Sequence, residues 1–202
     1  MPTVTSIKPQ RNKRRVNIYL DNKFGFGLDL ENFVKLGLKV EQELSEEKVA
    51  EIVKKGEFQK TLDKLLKFAT LRPRSEKEIK DWFKRKKVHE SLHKELFNRL
   101  KRLELLDDAQ FALWWVGQRN QFKPRGKRAL ESELRMKGIK KEVIAAVLSE
   151  FKIDEVKIAK TLLAKKAYKW QHLPSRDGRQ KMAQFLARKG FNWEIIEKVL
   201  KK

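Results

Sequence analysis

Apolar and polar residues alternate in two short stretches near the N-terminus. The alternation covers residues 16–20 and 24–28, and the polar run Asp21-Asn22-Lys23 separates the two stretches. Two alternating segments joined by a short polar turn predict a β-hairpin. Residues 3–7 predict a third strand beside it.

The pattern changes after the hairpin. Asp29 to Leu36 predicts a short helix, and Gly37 closes it because glycine accepts the left-handed backbone of a helix end. Ser45 predicts the N-cap of another helix that ends near Lys55.

From residue 57 onward apolar residues recur every three or four positions, as amphipathic helices require. The segment from 107 onward matches itself when it is shifted by 52 residues, so that Lys137-Gly138-Ile139 falls on Lys189-Gly190-Phe191 and Gly126 falls on Gly178. A shift of 51 relates the preceding segment, with Ile79 falling on Leu130. The chain therefore contains three versions of one helical unit of about 50 residues.

This repeat predicts a mainly α fold in which three tandem three-helix repeats form an elongated curved body after a small N-terminal β-hairpin with short helices. The expected division is 1–56 for the N-terminal part and 57–106, 107–152 and 153–202 for the three repeats. Lys87 stands where the other repeats have glycine, so either that turn differs or Lys87 is strained.

Charge narrows the possible partners. The chain has 49 Lys and Arg against 27 Asp and Glu, a net charge of +22, and each predicted segment is positive. A surface of this kind attracts polyanions, of which nucleic acid is the commonest. There is no cysteine, no apolar run of membrane-spanning length and no signal-peptide pattern, so a cytoplasmic protein is expected.

Catalytic signatures are weak. His89-Glu90-Ser91-Leu92-His93 matches the H-E-x-x-H motif of zinc proteases, but His93 aligns with the apolar Ile144 and Ile196 of the other repeats, which favours a chance match. One residue of Asp107-Asp108 is expected to cap a helix. We expect no enzymatic activity, no cofactor and no metal ion.

Basic residues recur at the same corner of each repeat, between its first and second helices and at the end of the second helix. Stacked repeats would align these corners into a stripe that contacts phosphates or an acidic groove. The candidate contact residues are Arg72, Arg74, Arg119, Lys123, Arg125, Lys127, Arg128, Arg135, Lys137, Arg176, Arg179, Lys181, Arg188 and Lys189.

Trp114 and Trp115 are adjacent and cannot both face one core. One of them either packs against a neighbouring repeat or is exposed for stacking on a partner.

Several motifs together resemble the RecX regulatory proteins. They occur in order as Arg72-Pro73-Arg74-Ser75-Glu76, Leu106-Asp107-Asp108, Glu133-Leu134 with Lys137-Gly138-Ile139, and Arg188-Lys189-Gly190-Phe191. The resemblance covers about residues 15–200. It implies three tandem three-helix repeats and no catalytic site.

The same resemblance implies a bacterial cytoplasmic regulator of recombination, DNA repair and the SOS response. Such proteins bind along the groove of the RecA–DNA filament and restrain its ATP hydrolysis, strand exchange and coprotease activity. The expected partners are therefore the RecA filament and single- or double-stranded DNA, contacted through phosphates by a monomer. A general nucleic-acid-binding helical-repeat protein remains the alternative, followed by a metallopeptidase or nuclease.

Overall fold

The computed structural model describes residues 1–11, 13–151 and 153–201. These residues form two compact units. The first unit comprises Met1–Leu71 and Val88–Leu100, and the second comprises Arg72–Lys87 and Lys101–Lys202.

The first unit begins with an antiparallel three-stranded sheet in the order β1-β2-β3. Its strands are β1 (Val4–Pro9), β2 (Arg15–Leu20) and β3 (Lys23–Asp29). The turn residues Asp21 and Asn22 have φ of 48° and 62°, as the tightest hairpin turns require. The predicted hairpin and third strand are both confirmed.

Two helices follow the sheet. Helix α1 (Leu30–Leu36) begins where the Asp29 carboxylate accepts a hydrogen bond from the Asn32 amide, and it ends at Gly37 with φ of 58°. Helix α2 (Glu46–Ala69) is capped by Ser45, as expected.

The predicted end of α2 near Lys55 is wrong, because the helix continues through Gly56 to Ala69. A Cβ atom at Gly56 would lie 3.1 Å from Leu28 Cδ2 and 3.2 Å from the Gly27 carbonyl oxygen. Glycine therefore permits close packing of α2 on β3 and does not break the helix. The core of this unit includes Ile18, Leu28 and Ile52, which are fully buried.

The remaining part of the first unit leads into α4 (His93–Arg102), which a 3-10 turn at Glu90–Leu92 precedes. Leu92, Leu96 and Leu100 are buried, as the apolar spacing predicts. Leu103 follows the same spacing in the sequence but is 41% exposed, because α4 ends at Arg102.

The second unit contains α3 and the two C-terminal three-helix bundles. Its helices are α3 (Glu76–Lys86), α5 (Asp108–Phe122), α6 (Lys127–Met136), α7 (Lys141–Glu150), α8 (Glu155–Ala164), α9 (Ser175–Arg188) and α10 (Trp193–Leu200). One apolar cluster includes Phe111, Leu134 and Ile144, and another includes Phe185, Leu186 and Ile196. Ile158 contacts both clusters, so α8 joins the two bundles.

The predicted equivalence of the second-helix ends is correct. Gly138 and Gly190 have φ of 82° and 86°, and Lys87 has φ of 52°. Lys87 therefore adopts the same left-handed turn, at a steric cost that glycine does not carry. Gly126 and Gly178 are not equivalent, because Gly126 precedes α6 whereas Gly178 lies inside the first turn of α9.

Candidate functional site

The second helices of the three repeats are α3, α6 and α9. Within the second unit, the start of each of the first two contacts the end of the one that follows. At the first junction, the start of α3 meets the end of α6, and the Ser75 hydroxyl donates a hydrogen bond to the Lys137 carbonyl at 2.8 Å. At the second junction, the start of α6 meets the end of α9, and the Gly126 amide donates to the Lys189 carbonyl at 3.0 Å. The start of one second helix thus meets the end of the next at both junctions, through the Ser75 side chain at the first and the Gly126 backbone at the second.

A carboxylate from the following repeat supports each junction. The Glu76 amide donates to Asp108 Oδ1 at 2.8 Å, and the Lys127 amide donates to Glu155 Oε1 at 2.9 Å. Each acceptor is the first residue of the next repeat's first helix, so it satisfies an amide at the N-terminus of α3 or α6. Burial, with the nearby charges of Glu76 and Asp107, raises the pKa of the Asp108 carboxyl. Asp107 caps α5, as predicted for one residue of this pair.

The first junction has a carboxylate at its centre. Glu78 accepts hydrogen bonds from Arg72 at 2.8 and 3.0 Å and from Lys137 at 2.7 Å, and Arg74 Nη1 lies 4.0 Å from it. Its side chain is only 12% exposed. Burial alone would raise the pKa of Glu78, but the contacts with Arg72 and Lys137 leave it below its ordinary value.

Among the described residues, the second junction has cations but no carboxylate in the position that Glu78 takes at the first. Arg125 Nε lies 3.0 Å from Glu133 Oε1 at an angle that makes no hydrogen bond. In the part of the chain that the structure describes, no carboxylate pairs with Lys123 or Lys189. Burial and the positive charges of Arg125, Lys166 and Lys123 lower the pKa of Lys189.

Trp115 belongs to the packed interior of the second bundle. Its indole N–H donates to Glu133 at 2.8 Å, and the guanidinium of Arg119 lies over its ring at 4.5 Å while also donating to Glu133 at 2.6 Å. Trp114 is also partly buried, against the cluster around Phe111. Both tryptophans therefore pack against the same cluster, and the expectation that they cannot both face one core is wrong.

The corner of the third repeat carries Arg176, Arg179 and Lys181, which are exposed at the start of α9. The two arginines line a cavity of about 350 Å³ between α9 and α10, next to the exposed indole of Trp193. That indole donates to Glu197 at 2.9 Å.

The fourteen candidate residues thus fall into two groups. Some have acidic partners inside the second unit, and this group contains Arg72, Arg74, Arg119, Arg125, Arg135 and Lys137, with Arg135 pairing to the exposed Glu131. The others have no ion pair with the described residues, and this group contains Lys123, Lys127, Arg128, Arg176, Arg179, Lys181, Arg188 and Lys189.

Lys166 is a member of the second junction that the sequence pattern missed. It follows α8, outside the helix junctions that the repeat comparison emphasised. Only the adjacent pair Lys165-Lys166 signals it in the sequence.

The two histidines of the H-E-x-x-H segment do not share a helix face. His89 precedes the 3-10 turn and lies 2.9 Å from Ser91 Oγ, whereas His93 begins α4 and its Nε2 lies 3.0 Å from the Val88 carbonyl oxygen. Across the described residues, no three His, Asp or Glu side chains are grouped closely enough to hold a metal ion. Over the same residues, no helix combines the length and apolarity needed to cross a bilayer.

Three family models match the chain. The model for the regulatory protein RecX N-terminal domain matches residues 2–45, the model for the second RecX three-helix domain matches 107–148, and the model for the third matches 153–200.

Individual proteins show the same similarity. The chain is 37% identical to "Regulatory protein RecX" of Bacillus licheniformis over 202 residues, covering 99% of this chain and 77% of that protein. It is 33% identical to the protein of that name from Bacillus subtilis, over 97% and 75% of the two chains. A solved structure, "Crystal structure of regulatory protein RecX", superimposes with a TM-score of 0.75 at 26% identity over 100% of both chains.

Proposed function

The chain belongs to the RecX family of regulatory proteins, and from this premise we propose that it is a non-enzymatic regulator of recombination and DNA repair. It binds the RecA–DNA filament and inhibits RecA ATP hydrolysis, strand exchange and coprotease activity. It acts in the bacterial cytoplasm as a monomer.

The observation that supports this proposal most is the recurrence of one junction along the second unit. Because the start of one second helix meets the end of the next at both junctions, three basic corners follow one another through the second unit. A series of cations suits a partner whose own charges repeat, which is true of a nucleoprotein filament. The proposed contacts are the Lys and Arg side chains of the second and third corners that form no ion pair with the described residues.

The proposal is tested by measuring ATP hydrolysis of pre-formed RecA filaments on single-stranded DNA with increasing amounts of this protein. We expect inhibition at protein concentrations well below that of RecA, because one bound molecule on a filament restrains several subunits. ATP hydrolysis that stays unchanged at every ratio would refute the proposal.

The second candidate function is general nucleic-acid binding. It is favoured by eight exposed or half-buried cations of the candidate set that have no ion pair among the described residues. Such a protein would bind bare DNA with strong salt dependence and would leave RecA unaffected. The two candidates therefore differ in the RecA assay and not in DNA affinity.

A further inference from the structure

At both junctions a helix start meets a helix end, but the third residue of the starting helix differs in chemistry. Glu78 is the third residue of α3, and Ala129 is the third residue of α6. Lys137 and Lys189 precede the left-handed glycines that end the two partner helices. Lys137 contacts Glu78 at 2.7 Å, whereas Lys189 faces a helix start that offers alanine in place of a carboxylate.

Three separate segments bring cations to the second junction. The loop before α6 carries Lys123 and Arg125, the segment after α8 carries Lys166, and the end of α9 carries Lys189. Lys166 Nζ and Lys189 Nζ lie 5.0 and 5.8 Å from the centroid of the Phe185 ring, so one aromatic side chain holds both ammonium groups. The Gly126 amide fixes the backbone of Lys189 against this loop.

This arrangement has an electrostatic cost for the protein alone. The lowered pKa of Lys189 follows from its burial and from repulsion by Arg125, Lys166 and Lys123. Among the described residues, Arg125 pairs only with Glu133, and Glu133 also accepts hydrogen bonds from Arg119 and Trp115. Glu133 therefore does not neutralise the lysines. An external anion at this place would remove the repulsion.

We propose that the second junction binds the phosphodiester backbone of DNA, with Lys123, Lys166 and Lys189 as the contacting cations. The first junction does not, because Glu78 already occupies the corresponding position. This inference deepens the proposed function and rests on it for the choice of DNA as partner.

The number of unpaired lysines favours DNA over an acidic protein side chain. A single carboxylate brings one charge, whereas each DNA strand brings one charge for about every 3.4 Å of helix axis. Three lysines from three segments can therefore each contact a phosphate of the same strand. An acidic peptide is the alternative occupant that the experiment must separate.

The test compares Lys166→Gln/Lys189→Gln with a control, Lys140→Gln/Lys141→Gln. The control removes two exposed lysines at the start of α7 that form no ion pair with the described residues. Binding to a fluorescein-labelled 20-nucleotide oligothymidylate is measured by anisotropy over a salt series. The logarithm of the binding constant falls linearly with the logarithm of the salt concentration, and each lost phosphate contact on a single strand reduces the steepness of this slope by about 0.7. We expect the junction variant to lose about 1.4 from this slope, by the same rule, and the control to keep the wild-type slope.

Equal slopes for the two double variants would overturn the inference. So would a junction variant that loses binding to labelled polyglutamate but keeps its binding to DNA, which would identify an acidic protein site. Lys123→Gln provides a second check because Lys123 is exposed, and it should lower the slope by about 0.7. These measurements contain no RecA, so the inference can succeed or fail independently of the RecA assay.

Discussion

The first and second junctions both join the start of one helix to the end of another, but different charged groups lie at the two contacts. At the first, Glu78 satisfies Arg72 and Lys137. At the second, a glycine contact brings together lysines that pair with no carboxylate among the described residues. Repeats of one fold can therefore keep the same helix contact while differing in charge. In one junction a carboxylate of the protein neutralises the cations, and in the other the cations are available to an external anion.

The tight contact between Gly190 and the start of α6 gives the largest expected effect. A Cβ atom at Gly190, where φ is 86°, would lie 2.2 Å from Ala129 Cβ and 2.5 Å from its backbone nitrogen. Gly190→Ala should lower the free energy of unfolding by about 4 kcal/mol, since a left-handed residue and an overpacked contact add up. Urea denaturation measures this loss.

Two other glycines with positive φ serve as controls for the loss of stability at Gly190. Gly138 has φ of 82° but meets mainly the side chain of Lys77, and Gly37 has φ of 58° with no atom within 4 Å. The expected losses for alanine are about 2 and about 1 kcal/mol. A loss at Gly190 no greater than that at Gly37 would contradict the tight second junction.

Removing the central carboxylate should be the next largest change. Glu78→Gln weakens the contacts to Arg72 and Lys137 and leaves partly buried cations uncompensated, at a cost of about 2 kcal/mol in the free energy of unfolding. Glu131→Gln is the control, because its pair with Arg135 is exposed and should contribute less than about 1 kcal/mol. Similar losses in both variants would argue against Glu78 as the centre of the first junction.

The two equivalent lysines should respond with opposite signs. Lys137→Met removes a partner of Glu78 and should destabilise the protein by about 1 kcal/mol. Lys189→Met removes a repelled, partly buried ammonium group and should stabilise it by a similar amount, about 1 kcal/mol. If both substitutions destabilise equally, the contrast between the junctions is wrong.

Acid should abolish the stabilising contribution of the Glu78 carboxylate. Because its folded pKa lies below the ordinary 4.5, its contribution is complete above pH 4.5 and is lost as pH falls through the lowered value. The stability difference between wild type and Glu78→Gln should therefore shrink below pH 4.5. Denaturation at a series of pH values tests this, and a constant difference down to pH 2 would contradict it.

Asp108 should behave in the opposite way. Its folded pKa is raised above 3.8, so wild type gains stability relative to Asp108→Asn as pH falls through the raised value. The asparagine retains an oxygen that can accept from the Glu76 amide. A relative gain with rising pH would show that the Asp108 charge is stabilising.

The smallest expected effect lies outside both junctions. Lys87 ends α3 with φ of 52°, and Lys87→Gly should add about 0.5 kcal/mol to the free energy of unfolding, after the greater flexibility of unfolded glycine is subtracted. Exposed Lys86→Gly, at a helical residue, should instead destabilise. Destabilisation by both changes would mean that Lys87 is not strained.

The sequence predicts the strands, caps and helix ends well because local residues determine them. The Asp21-Asn22 turn, the Ser45 cap and the left-handed Gly190 are examples. It fails at Gly56, where a glycine inside a helix serves a tertiary contact with Leu28. No local pattern distinguishes that role from a helix break.

The sequence predicts which corner of each repeat carries the basic residues, but it does not predict which of those residues have an acidic partner. The repeat register places basic residues at each junction, but it does not show that Glu78 neutralises part of the first one or that Lys166 reaches the second. Those relations include side chains that are far apart in the sequence, such as Glu78 and Lys137. Only the three-dimensional packing brings them together.

The most direct measurement is ATP hydrolysis by RecA filaments titrated with wild-type protein, Lys166→Gln/Lys189→Gln and Lys140→Gln/Lys141→Gln. Wild type and the control should inhibit at concentrations well below that of RecA, and the junction variant should need a several-fold higher concentration. Filaments that hydrolyse ATP at an unchanged rate with every protein at every ratio would contradict the account.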